Sequence, residues 1–144
     1  MMDDDDNQMK AMLARAEAAV AALARDYIAW ARADIDLCRQ HLTAAQQEPD
    51  QRRQHVAALF GVAHNIKGQG SSFGFPLMTR LGQSLCHLTR QPHAAGDMEM
   101  ALADQHLRLM SEVLQQEARG DGPPALQAAV QQIEHDVEAL DAAG

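Results

Sequence analysis

Aromatic residues make up only 3% of this 144-residue chain, and long β-branched runs are missing. Strands are therefore not expected, because extended segments draw on those residue types. Positive charge is also scarce. Twelve Lys and Arg stand against 20 Asp and Glu, for a net charge of −8. That balance excludes nucleic acid as a partner, since phosphate binding needs a concentrated basic surface. It argues equally against docking on an anionic membrane. No run of about 18 apolar residues occurs, so no membrane span is expected. The two cysteines, Cys38 and Cys86, lie far apart and form no CxxC pair. They read as free thiols of a cytoplasmic protein. The acidic start, Met1-Met2-Asp3-Asp4-Asp5-Asp6, is unlike a secretory signal, which begins basic and continues apolar.

Alanine, leucine and methionine are abundant, and 47% of the chain is hydrophobic. These residues lose little rotamer freedom in a helix, so the composition predicts an all-α protein. The length fits one domain. We expect residues 1–6 to form a disordered acidic start and 7–144 a single helical domain. Leu13, Val20, Leu23, Tyr27, Ala31, Ile35, Cys38 and Leu42 recur mostly three or four apart, with no Pro or Gly between them. That spacing predicts helix from about Asn7 to Gln47, either as one piece or as two joined near Arg25-Asp26. Glu48-Pro49-Asp50 breaks it, with Asp50 as the expected cap of the next helix. Val56, Leu59, Val62, Ala63 and Ile66 mark that helix. It enters the poor helix-forming stretch Gly68–Ser72 and ends by Gly74. Pro76 opens a helix carrying Leu77, Leu81, Leu85 and Leu88. A loop is expected at 91–96, then a helix capped by Asp97, a break at Gly120–Pro124, and a last helix. The fold class is an antiparallel four-helix bundle with an additional N-terminal helical segment.

One segment carries chemistry: Ala63-His64-Asn65-Ile66-Lys67-Gly68-Gln69-Gly70-Ser71-Ser72-Phe73-Gly74. His64, Lys67, Gly68 and Ser71 fall at i, i+3, i+4 and i+7, which is one face of a helix. Leu59, Val62 or Ala63, and Ile66 form the core face, so His64 points to solvent. An imidazole with an ordinary pKa near 6.5 is largely neutral at cytosolic pH and can act as a nucleophile. An ammonium at Lys67 would stabilise a phosphoryl group arriving there. Gly68 opens the surface beside the ring, at a helix cost of about 1 kcal/mol relative to alanine.

His64-x-x-Lys67-Gly68, then five residues, then Gly74, resembles the signature of histidine-containing phosphotransfer (HPt) domains. The resemblance implies a four-helix bundle with the active histidine exposed midway along one helix. It implies a carrier without kinase activity of its own, exchanging phosphoryl groups with aspartates of receiver domains in response regulators or hybrid kinases. His64 is then the phosphoacceptor, Lys67 its electrostatic support and Gly68 the point of steric access. No cofactor or metal is expected on this chain; Mg²⁺ belongs to the receiver. Phe60, Gly61, Ser71, Arg80 and Gln83 are candidates for receiver docking. Phe60 has a second reading, as a ring at the edge of the core. Gly74 is read as structural. Many family members have a small residue where this chain has Phe75, which bears on how the next helix starts and on which receiver docks.

Two rival functions stay open. In a histidine kinase dimerisation fragment an acidic residue commonly follows the histidine, where Asn65 stands here, and glycine-rich ATP-binding boxes are absent from this chain. An HPt-like adaptor would bind receivers without accepting phosphate, which the presence of both His64 and Lys67 disfavours. The remaining histidines, His41, His55, His87, His93, His106 and His135, form no metal-ligand pattern. Met98, Met100 and Met110 are read as packing.

Overall fold

The computed structural model describes residues 2–90 and 95–143. Five helices account for most of it: α1 (Met2–Gln47), α2 (Arg52–Gly70), α3 (Pro76–Arg90), α4 (Asp97–Gln115) and α5 (Pro124–Ala143). No strand occurs among the described residues. α1 packs on α2 and α4, and α3 closes the ring between those two. α5 lies against α3 and α4. Cross-helix pairs give the direction of travel. Gly82 meets Lys67 and Cys86 meets Phe60, so α2 and α3 run antiparallel. Arg80 pairs with Glu134 and His87 with Asp141, so α3 and α5 run parallel.

α1 is one continuous helix, which settles the choice left open at Arg25-Asp26. Residues 2–6, expected to be disordered, form its first turn. Aspartates there oppose the positive end of the helix dipole and favour the helical state. Met1 lies outside the described residues.

The apolar spacing of α1 resolves into two parts. Tyr27, Ala31, Ile35, Cys38 and Leu42 are buried in the core, whereas Leu13, Val20 and Leu23 are exposed. The core is otherwise drawn from α2 to α5 as the spacing implies, with Leu59, Ile66, Leu77, Leu81, Leu85, Leu107 and Met110 almost wholly enclosed. Met98, read as packing, faces solvent.

Two expected caps are not formed. The N-cap of α2 is Gln51, without a side-chain bond, because Pro49 directs residues 49–51 into a 3-10 turn ahead of the helix. At α4 the cap position is Gly96, and Asp97 is already the first helical residue. Its carboxylate accepts from Arg52 Nη1 (3.2 Å) instead. Arg52 also donates through Nε to the carbonyl of Ala45 (2.9 Å) and through Nη1 to that of Ala95 (3.0 Å). One guanidinium thus ties together three chain segments at this end of the bundle. Residues 91–94 of the expected loop lie outside the described residues.

The opposite corner, between α2 and α3, positions the histidine helix. α2 persists through Gly68 to Gly70, well into the stretch read as poor helix former, and passes into a 3-10 turn at Ser71–Phe73. Gly74 closes it at φ 88°, a conformation that favours glycine. The next residue, Phe75, is fully buried, and α3 begins cleanly at Pro76. Phe75 and Phe73 stack on Tyr27 of α1, with ring centroids 5.2 and 5.0 Å apart. Trp30 meets Phe73 edge-on at 5.9 Å. Nearly all of the chain's few aromatic rings therefore anchor this one corner to α1, where large apolar areas and ring geometry combine. The buried Tyr27 hydroxyl has no hydrogen-bond partner in the structure. Burial and the nearby Asp34 carboxylate push its pKa up to about 12.

Candidate functional site

The core stripe of α2 is Val56, Leu59, Val62, Ala63, Ile66 and Gly70, all buried. The other face is turned outward and carries Gly61, His64, Lys67, Gly68 and Ser71, all exposed. His64 makes no hydrogen bond among the described residues; its ring lies 6.4 Å from that of Phe60, tilted by 38°. Gly61 and Gly68 flank His64 one turn before and one turn after. A Cβ at either glycine would meet nothing within 4 Å. Packing inside the bundle gives no reason for either glycine, and each leaves the approach to the imidazole open.

Gly70 and Gly82 are glycines of the opposite kind. A Cβ at Gly82 would come within 2.6 Å of the backbone nitrogen of Lys67 and 2.9 Å of its Cα. A Cβ at Gly70 would come within 2.7 Å of the backbone nitrogen of Thr79. Backbone-to-backbone contact at these two points holds α2 tightly against α3, directly behind the exposed face. Thr79 Oγ1 adds a bolt, accepting from the backbone N–H of Ser71 (2.7 Å) and from its hydroxyl (3.0 Å).

Lys67 is exposed and has no ion-pair partner among the described residues. It borders a groove between α3 and α5 that is also lined by Arg80, Gln83, His87, Arg90 and Glu134. Basic groups predominate on the α3 side. Arg80 is held by the Glu134 carboxylate through both Nε and Nη2. His87 lies 3.3 Å from Asp141. Beneath, burial pushes the Cys86 thiol pKa up, and the charges of Lys67 and Arg90 oppose that shift.

The structure therefore brings together His64, Gly61, Lys67, Gly68 and Phe60 on α2, and Arg80 and Gln83 with Lys67 across the groove. Phe60 is half-buried and packs against the core while still reaching His64. The reading as a ring at the edge of the core therefore holds, and the exposed part of the ring borders His64. The Ser71 hydroxyl faces the same way but is bound to Thr79. Among the described residues no cluster of His, Cys, Asp and Glu has the arrangement of a metal site. Nor is any helix among them long and apolar enough to cross a membrane.

Gly82 was missed by the sequence reading, although a glycine between Leu81 and Leu85 in a helix signals a packing constraint. His106, grouped with the other histidines as structural or solvent-facing, is structural. It is fully buried, with Nδ1 donating to the carbonyl of Leu102 (2.7 Å) and Nε2 accepting from the Ser84 hydroxyl (2.8 Å). A carbonyl can only accept, so Nδ1 carries a proton. Burial lowers its pKa to about 4. Its place beside Ala103 and Leu107, on the apolar stripe of α4, was the available signal.

A family model for the Hpt domain matches residues 22–143. The chain belongs to the Hpt family. Histidine phosphotransfer in two-component relays is the family's general role, and its members act as carriers without kinase activity and interact with receiver domains. Comparison with curated proteins gave no match. Comparison with solved structures gave none either. The Hpt match takes in the second half of α1 and all of α2 to α5, and leaves out residues 1–21.

Proposed function

We propose that His64 accepts a phosphoryl group from the aspartyl phosphate of a receiver domain and returns it to such an aspartate. What carries this reading is the exposed face of α2, where His64 stands between two glycines that the bundle does not need. A lone pair of the neutral imidazole attacks phosphorus, the N–P bond forms, and the P–O bond to the aspartate breaks as the carboxylate leaves. The reverse step restores the aspartyl phosphate. Such transfer has a loose transition state, so positioning and charge stabilisation dominate. Lys67 supplies a positive charge one turn from His64. Gly61 and Gly68 admit the partner's backbone, while Phe60, Ser71, Arg80 and Gln83 border the docking area. Mg²⁺ acts on the receiver side and needs no ligand from this chain. The protein works in the cytoplasm, where receiver domains reside.

The test is phosphoryl transfer from a panel of phosphorylated receiver domains to the protein and to His64→Gln. Acid-labile, alkali-stable label on the unmodified protein alone is expected. Equal label on both would place the acceptor elsewhere. Receiver binding without label would favour an adaptor, and label from ATP alone would favour a kinase fragment. Phe60→Ala is expected to weaken receiver binding; unchanged affinity in a folded variant removes Phe60 from the docking area.

A further inference from the structure

The first buried residue of α1 is Ala24, and every described side chain from Asp3 to Val20 is exposed. Helix α1 therefore runs about 30 Å, at 1.5 Å per residue, with no part of its own bundle against it. Most helical stability in proteins comes from packing of an apolar face, which its own bundle does not give this segment. Yet this half is not polar all round. Met9, Leu13, Val20, Leu23, Trp30 and Leu37 are all between 40% and 64% exposed.

Their order is informative. Met9, Leu13, Ala16, Val20 and Leu23 are spaced four, three, four, three, the 3.5-residue repeat of a two-helix seam, and Trp30 and Leu37 follow at seven-residue steps, while Tyr27 between them is turned into the bundle. Apart from Tyr27, the residues that α1 turns to its own core, Ala24, Ile28, Ala31, Ile35, Cys38, Leu42 and Ala45, follow the same repeat one position later. One position is about 100° around a helix. The outer seam therefore faces a different direction from the bundle core. It continues past the free half, since Trp30 and Leu37 stay exposed alongside the bundle.

We propose that this seam pairs with the same seam of a second copy, in parallel, to form a two-stranded coiled coil from Met9 to Leu23, with Trp30 and Leu37 prolonging one edge of the contact. Met9, Ala16, Leu23, Trp30 and Leu37 then occupy successive d positions, with Leu13 and Val20 at a, each facing its own symmetry mate; the next a positions are Tyr27, which is buried in the bundle, and Asp34, which is half-buried. The parallel direction follows from the length of the stripe. An antiparallel pairing that joins Lys10 to Glu17 sets Leu23 against Asp6 and leaves Trp30 and Leu37 uncovered. Charge also fits a second copy. Lys10 is the one basic residue at a flanking e position of the free half, and in the parallel register it meets Asp5 at the partner's g position. Such a dimer leaves the His64 face of each copy open, because that face lies on α2. The inference stands whether or not His64 carries phosphate.

The experiment is sedimentation equilibrium of the full chain together with Leu23→Glu and Lys10→Glu. Both positions are exposed and glutamate is a good helix former, so the bundle is retained, as circular dichroism would verify. A dimer at micromolar concentration is expected, weakened at least tenfold by each substitution. The emission of Trp30, the only tryptophan, should shift to longer wavelength in Leu23→Glu. Met9→Cys tests the direction: a disulfide-linked dimer on oxidation is expected, since Cys38 and Cys86 are buried. A chain monomeric throughout the concentration range would overturn the proposal. So would a dimer indifferent to Leu23→Glu, or a Met9→Cys dimer that does not cross-link.

Discussion

The same chemical change at two glycines should move stability in opposite directions. At Gly82 an added methyl carbon falls 2.6 Å from the Lys67 backbone nitrogen and 2.9 Å from its Cα. No rotamer change relieves a contact with backbone, so α2 and α3 must separate locally. Overpacking of this kind costs about 1–3 kcal/mol. Against it stands the gain in helix propensity from Gly to Ala, about 1 kcal/mol. Net of that gain, Gly82→Ala should be destabilised by up to about 2 kcal/mol, a fall in Tm of at most a few degrees. At Gly68 the added carbon meets nothing within 4 Å. Only the propensity gain operates there, and Gly68→Ala should be more stable by up to about 1 kcal/mol. Urea unfolding of the three proteins, followed by circular dichroism, compares them directly. A Gly82→Ala protein stabilised as much as Gly68→Ala would refute the close approach of the two helices. The functional expectation is crossed with the stability one, since under the proposed role Gly68→Ala also hinders the approach of a receiver and slows transfer despite its firmer fold.

Acidification acts through His106. Its pKa is near 4 when folded and about 6.5 when unfolded, so between these values the unfolded chain binds the extra proton. The stability it contributes is complete above pH 6.5 and declines as pH falls towards 4, by about 3 kcal/mol in all. Urea midpoints across that range should show a slope that His106→Gln largely lacks; parallel slopes would assign the acid sensitivity to other groups. Lys67→Ala should slow phosphoryl transfer roughly 10- to 100-fold, the worth of one charge-assisted contact, while leaving the unfolding midpoint little changed. Loss of fold together with rate would make Lys67 structural. Tyr27→Phe keeps both ring stacks and removes a buried hydroxyl without a partner, so stability should hold or rise by up to about 1 kcal/mol. A marked loss, read from the thermal midpoint, would mean that the hydroxyl is bonded after all.

The parts of the fold that were legible in the sequence depend on periodicity along one helix. Leu59, Val62, Ala63 and Ile66 mark the buried side of α2, and that alone turns His64 outward. Pro76 and Gly74 likewise act locally, through a fixed φ and a left-handed φ. Contacts between elements were not legible. Asp50 and Asp97 look like caps, but Pro49 and Arg52 determine what those positions do. Arg52 reaches Ala95 and Asp97 across more than 40 positions of sequence. The split of α1 into a core-facing and an outward-facing stripe also depends on where the bundle ends, which spacing does not state. Within the site, His64, Lys67 and Gly68 could be named from a short motif. Gly82 could not, because its importance lies in the helix it touches.

Phe75 shows how a departure from the family pattern is absorbed. A large ring where a small residue is common would be expected to disturb the start of α3. Instead the side chain turns inward, is fully buried, and stacks on Tyr27 with the Arg119 guanidinium 5.7 Å from its ring centroid. The added volume thus lies on the α1 side of the corner, away from the His64 face. Gly74 makes this possible, since its left-handed backbone turns the chain just before the ring. The corner then fixes where α2 ends, and the glycine contacts at Gly70 and Gly82 fix how closely α3 lies behind it. Under the proposed role of His64, a nucleophile on a helix surface needs an open front and a rigid back. In this chain the front is opened by glycines that touch nothing, and the back is made rigid by glycines that touch backbone. Substitution at the first pair should therefore affect partner access without loosening the bundle, and substitution at the second should loosen the bundle first.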